Sequence, residues 1–161
     1  MKNSTHNFKD IKAPAEQVYD AIMDPRALEQ WMAPGNMRGK IHYFDGVVGG
    51  GYEMSLFYPA ADHDAPGKTA ADEDRFKVQF IELIPGRKIT EMVSFVSNHP
   101  GYQGEMTIEI TLDKRNGSTR VHFLFKNIPG GIRPQDNEAG TVSSLNKLAA
   151  FVESKLPGQY L

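Results

Sequence analysis

A chain of 161 residues with 40% hydrophobic content is long enough to bury a core, and a formal net charge of -2 with an isoelectric point near 6.2 supplies no concentrated basic surface for nucleic-acid phosphates. The absence of cysteine excludes a disulfide framework, a thiolate nucleophile and any cysteine-based metal site. The start Met1-Lys2-Asn3-Ser4-Thr5-His6 has no apolar signal core and no apolar run is long enough to span a bilayer, so one cytoplasmic domain over residues 1–161 is expected, without membrane insertion.

Phe8 to Lys12 reads as a short strand, and Pro14 opens a helix because proline at the first turn removes no needed donor. Ala15, Val18, Tyr19 and Ile22 then fall three or four apart on one face, and Asp24-Pro25 stops the pattern. Ala27 to Met32 adds one or two turns that carry Leu28 and Trp31 on the same side, before Pro34-Gly35 breaks them.

From about residue 38 the hydrophobic period becomes two. Ile41 and Tyr43 alternate up to Asp45-Gly46, and Tyr52, Met54, Leu56 and Tyr58 share a face up to Pro59. Gly49-Gly50-Gly51 lies between strands, not before a helix, which points to a tight turn or bulge instead of a phosphate loop. Ala60 to Asp74 lacks periodicity and reads as a connection. Strands resume at Phe76, Val78 and Phe80, turn at Pro85-Gly86, and continue through Ile89 to Val96. Met106 to Leu112, the turn Asn116-Gly117, and Thr119 to Phe125 form the clearest hairpin. Successive hairpins predict an antiparallel sheet. The closing helix starts near Pro134 and ends before Pro157-Gly158, carrying Val142, Leu145, Leu148, Ala149, Val152 and Leu156; Gly140 inside it suggests close packing or a bend.

Four segments in this order carry a family resemblance: Ile11-Lys12-Ala13-Pro14-Ala15-Glu16-Gln17-Val18-Tyr19, Gln30-Trp31-Met32-Ala33-Pro34, Phe44-Asp45 to Gly49-Gly50-Gly51-Tyr52, and Asp136-Asn137-Glu138-Ala139-Gly140. The chain resembles the activator of heat-shock protein ATPase homologue family, within the START, polyketide cyclase and birch-pollen-allergen superfamily (SRPBCC). The resemblance implies an α+β helix-grip fold: a curved antiparallel sheet wrapped around a long C-terminal helix, with two short helices near the N-terminus. It also implies a cavity between sheet and helix for a small hydrophobic or amphipathic ligand, lipid-like or aromatic. The expected lining is Trp31, Met54, Leu56, Phe80, Glu91, Phe95, Met106 and Leu145, of which Met54, Leu56, Phe80, Phe95, Met106 and Leu145 could equally serve in a filled core. Trp31 has the further alternative of anchoring the short helices.

Glu91 is the candidate catalytic group. The alternation Ile89, Glu91, Val93, Phe95 places its carboxyl on an apolar face, where desolvation would raise its pKa and suit it to hydrogen bonding or acid-base work. The competing reading puts it at the sheet rim or pairs it with Arg87 or Arg120. Asp136, Asn137 and Glu138 suit a helix start as caps, with ligand contact as the alternative. Asp62-His63-Asp64 is too local for a preorganised metal shell, and His6, His42, His99 and His122 lack metal-ligand spacing, so neither metal nor cofactor is expected.

The superfamily spans lipid carriers, hormone receptors, cyclases and co-chaperones, so fold alone does not carry activity. A noncatalytic binding protein is the first expectation. A cyclase, dehydratase or hydrolase using Glu91 is the second, and a chaperone-contacting domain the third, although the eukaryotic activators carry an additional chaperone-binding domain for which these 161 residues leave no length. A homodimer is compatible with the sequence, although no sequence feature calls for one.

Overall fold

The period-two segments pair into one sheet. In chain order the elements are β1 (Thr5–Ile11), α1 (Ala15–Ile22), α2 (Pro25–Trp31), β2 (Arg38–Asp45), β3 (Gly51–Phe57), β4 (Glu73–Ile84), β5 (Lys88–Phe95), β6 (Met106–Arg115), β7 (Ser118–Lys126) and α3 (Pro134–Glu153). They are taken from a computed structural model that describes residues 3–59 and 72–155. The sheet has seven strands in the order β1-β7-β6-β5-β4-β3-β2, every neighbouring pair antiparallel. The first strand therefore closes against the last, and the α+β helix-grip arrangement expected above is the one observed: a curved sheet, a long C-terminal helix and two short helices.

Local chemistry sets the boundaries. Asp24 caps α2 by accepting a hydrogen bond from the backbone N–H of Arg26 at 2.9 Å, and Pro25 occupies the first turn. Curvature has two visible sources, register shifts at Ile41/Tyr43 and at Phe80/Glu82, each of which inserts an unpaired residue and increases local twist. The glycine triplet turns β2 into β3: Gly49 sits at φ +87°, a conformation that disfavours a side chain.

Some boundaries differ from expectation. β1 begins at Thr5, because its pairing with β7 runs from Thr5↔Phe125 to Ile11↔Thr119, farther than apolar alternation alone marks. β4 begins at Glu73, so Glu73 and Asp74 belong to a strand and pair with Phe57 and Leu56. Asp62-His63-Asp64, the rest of the connection up to residue 71, and Leu156 with Pro157-Gly158 lie outside the described residues.

The core forms where the helices meet the concave face. Trp31, Leu28, Ile22, Met54, Phe80, Ile110, Leu145 and Leu148 are fully buried within it. Along α3, Leu145, Leu148, Ala149 and Val152 enter this core, whereas the first half of the helix presents Asn137, Gly140, Thr141 and Ser144 to a space that the sheet does not fill.

Candidate functional site

That space is a cavity of about 210 Å³ between the sheet and the first half of α3. Its sheet wall is apolar: Leu56 from β3, Phe76 and Val78 from β4, Val93 and Phe95 from β5, Met106 and Ile108 from β6, Phe123 and Phe125 from β7. Met32, Pro34 and Ile132 close it from the loops and the end of α2. An apolar enclosure with a few polar groups is the usual constitution of a small-molecule site.

The polar groups divide into two kinds. Those of α3 have partners: Asn137 donates to Thr5 Oγ1 at 2.9 Å, Thr141 donates to the Asn137 carbonyl at 2.8 Å, and Ser144 donates to the Met32 carbonyl at 2.6 Å. Asp136 accepts from Arg133 at 3.1 and 3.3 Å, and on β4 Asp74 accepts from the Tyr58 hydroxyl at 3.0 Å. Tyr52 is different. It is 1% exposed, and its hydroxyl, buried on the cavity wall, has no hydrogen-bond partner among the described residues. Leaving such a group unsatisfied costs about 1–3 kcal/mol.

Glu91 is the second distinctive group. It is 2% exposed and lines the cavity, and desolvation pushes its pKa up to about 8, so the carboxyl is largely protonated at neutral pH. Burial also raises the Tyr52 phenol well above its usual range, and the charge that Glu91 would carry adds to the effect, which places the two groups in one electrostatic environment. The strand register explains the arrangement. Tyr52 pairs with Val78, Val78 with Val93, and Glu91 stands two residues from Val93 on the same face of β5. The tyrosine ring is held by Phe44, stacked at 5.7 Å and 18°, and by Phe76 and Phe80 at 6.3 and 5.9 Å.

Of the residues expected at the site, the cavity brings together Leu56, Glu91, Phe95 and Met106. The rim reading of Glu91 fails, since the group is buried and Arg120 is engaged with Asp10 at 2.8 Å. Trp31, Met54, Phe80 and Leu145 do not line the cavity and pack in the core. Trp31 donates its indole N–H to the Ala21 carbonyl at 3.0 Å and meets the edge of Phe123 at 6.3 Å, so it stands behind the wall and ties α2 to α1. Phe80 stands likewise behind Tyr52.

Asp136 lies in the first turn of α3, where the helix dipole favours a negative charge as expected, but the N-cap position itself belongs to another residue. Arg133 is the N-cap of α3 and makes no side-chain cap hydrogen bond, while Asp136 and Asn137 line the cavity. Ligand contact, the alternative expected of Asp136 and Asn137, fits their place on the wall, whereas sequence reasoning passed over Tyr52, whose signal was its shared face with Leu56, and Thr141 and Ser144, whose helical spacing from Asn137 and Gly140 marks one side of α3.

A family model described as Activator of Hsp90 ATPase homolog 1-like protein matches residues 12–153. The chain belongs to this family. Among solved structures, the Activator of Hsp90 ATPase homolog 1-like fold seen here resembles a protein of Chromobacterium violaceum at 31% identity and a TM-score of 0.83, covering 95% of this chain and 99% of that one. A Staphylococcus epidermidis protein matches at 18% identity and a TM-score of 0.76, over 97% of this chain and 93% of its own. DynU16, from the dynemicin biosynthetic locus, matches at 19% identity and a TM-score of 0.67, covering 98% of this chain and 49% of its own. The last two likenesses show the fold. A search of curated proteins gives no match. No helix among the described residues is long and apolar enough to cross a membrane.

Proposed function

We propose that this family member is a noncatalytic binding protein that holds a small molecule with an apolar, lipid-like or aromatic body between the sheet and α3. The observation that carries the reading is the cavity of about 210 Å³ with a wall of aliphatic and aromatic side chains from five strands. Its volume suits a ligand of about one ring or a short chain better than a long lipid. Native mass spectrometry of gently purified protein, followed by denaturing extraction, tests it. A stoichiometric small molecule released on denaturation supports the reading, and protein that stays empty and takes up no apolar probe overturns it.

One observation favours a second reading, an enzyme of the cyclase, dehydratase or hydrolase kind. Glu91, with its pKa raised to about 8, holds a proton near neutrality and can give or take it within the cavity. On that reading Glu91→Gln abolishes turnover of a cavity-bound substrate while the fold persists. Unchanged turnover removes it.

A further inference from the structure

The cavity wall carries two polar groups that the fold does not satisfy from within. The Tyr52 hydroxyl is buried without a partner among the described residues, and Glu91 lines the same cavity from two strands away. A buried polar atom with no protein partner calls for an explanation, and on a cavity wall a bound ligand supplies one. Which complement follows from what each group offers. A phenol donates one hydrogen bond readily, and a neutral carboxylic acid also donates one, so the pair supplies two donors to the wall of one largely apolar cavity.

We infer that Tyr52 and Glu91 together form a two-donor recognition site for a carbonyl oxygen on an otherwise apolar ligand. The inference rests on the cavity-binding reading above and specifies the ligand class: ketones, enones and related compounds whose single strong acceptor lies at one end of a ring or short apolar body. A carboxylate ligand is disfavoured, because no basic side chain lines the cavity among the described residues. A pure hydrocarbon would leave both donors unmet, and sites with buried unmet donors discriminate strongly against analogues that lack the acceptor.

The surroundings hold the two groups in these roles. The phenyl neighbours Phe44, Phe76 and Phe80 fix the tyrosine ring before any ligand arrives. The titratable groups that share the wall with Glu91 are Tyr52 of β3, Asp74 of β4 and Asp136 of α3, with only Met106, Ile108, Phe123 and Phe125 contributed by β6 and β7. Asp74 is held by Tyr58 and Asp136 by Arg133. Among the described residues no cation lines the cavity to draw off the Glu91 proton, and desolvation keeps the carboxyl protonated up to about pH 8.

The test uses two probes of one shape, acetophenone and α-methylstyrene, which differ in a carbonyl oxygen against a methylene. Their dissociation constants are measured by ligand-detected NMR titration of the intact protein at pH 6 and at pH 9.5. At pH 6 acetophenone is expected to bind at least tenfold more tightly. Tyr52→Phe should reduce that preference to twofold or less without weakening the hydrocarbon. At pH 9.5 the wild-type preference should collapse, because a Glu91 carboxylate can only accept, while Tyr52 remains protonated. Glu91→Gln, which keeps a neutral donor, should retain the preference at both pH values. Equal binding of the two probes by the wild type, or a preference untouched by both Tyr52→Phe and pH, overturns the two-donor site and leaves the cavity reading standing. If neither probe binds at millimolar concentration, both readings fall. The pH comparison needs no variant, so a substitution that failed to fold would not remove the test.

Discussion

The backbone of Gly51 passes so close to Val78 that a β-carbon at position 51 would stand 1.8 Å from the Val78 carbonyl oxygen. Gly51 is also where β3 begins, opposite Gln79 and one residue before Tyr52, so this approach sets the register that carries Tyr52 to the cavity wall. Gly51→Ala is expected to destabilise the protein by about 3 kcal/mol or more, since backbone would have to move to admit the methyl group. Gly130→Ala, where the added carbon meets nothing within 4 Å and φ is not positive, should change stability by less than about 1 kcal/mol. Urea unfolding of the two variants checks the contrast.

Removing the unsatisfied hydroxyl should help the empty protein. Tyr52→Phe keeps the ring and its packing on Phe44, Phe76 and Phe80 while deleting a buried donor without a partner. A gain of about 1 kcal/mol, or roughly 2–4 °C in Tm for a chain of this size, is expected in thermal unfolding without ligand. A loss of similar size would mean that the hydroxyl is satisfied in solution.

Glu91 gives stability a defined dependence on pH. Its pKa is about 8 in the folded chain against an ordinary 4.5, so between those values the folded state keeps a proton that the unfolded state has released. Its contribution is complete below pH 4.5, declines as pH rises, and is gone above about 8, with a slope of at most about 1.4 kcal/mol per unit. Asp10, Glu16 and Glu109 act in the opposite sense and at lower pH, because hydrogen bonds from Arg120, Lys114 and Lys126 lower their pKa values. Denaturant unfolding from pH 5 to 9 should therefore show stability falling in the wild type and a much flatter profile in Glu91→Gln.

The single tryptophan reports on the core and not on the cavity. Trp31 is fully buried and its indole N–H is bound to Ala21, so its emission should be blue-shifted and resistant to iodide quenching. Cavity ligands should leave both properties nearly unchanged, apart from energy transfer. Strong iodide quenching in the native protein would place Trp31 at an accessible surface. Trp31→Ala should cost about 3–5 kcal/mol.

The sheet could be read from the sequence because period-two alternation directly states which side chains share a face. That is why alternation alone places Glu91 with Ile89, Val93 and Phe95. Alternation does not state what stands opposite each inward residue. Met54 and Phe80 share faces with the cavity-lining Leu56 and Val78, yet they meet filled space among the core residues, whereas Leu56 and Val78 meet open space. The distinction depends on where α3 presents Gly140, Thr141 and Ser144 and where it presents Leu145 and Leu148, which is a matter of long-range docking. Tyr52 was similarly hidden: its partnerless hydroxyl is a property of everything around it and of nothing in its neighbours along the chain.

The helical wall at Gly140 and the sheet wall at Tyr52 and Glu91 give the cavity two independent adjustments. A β-carbon at Gly140 would meet only Pro34, at 3.9 and 4.0 Å, so the steric limit of the chamber can be reset from α3 without touching the strands. Larger residues there would narrow the range of ligand bodies admitted while the polar end stayed as it is. Relatives sharing this scaffold can thus diverge in ligand size through one helix position and in ligand chemistry through two strand positions, each kind of change sparing the other.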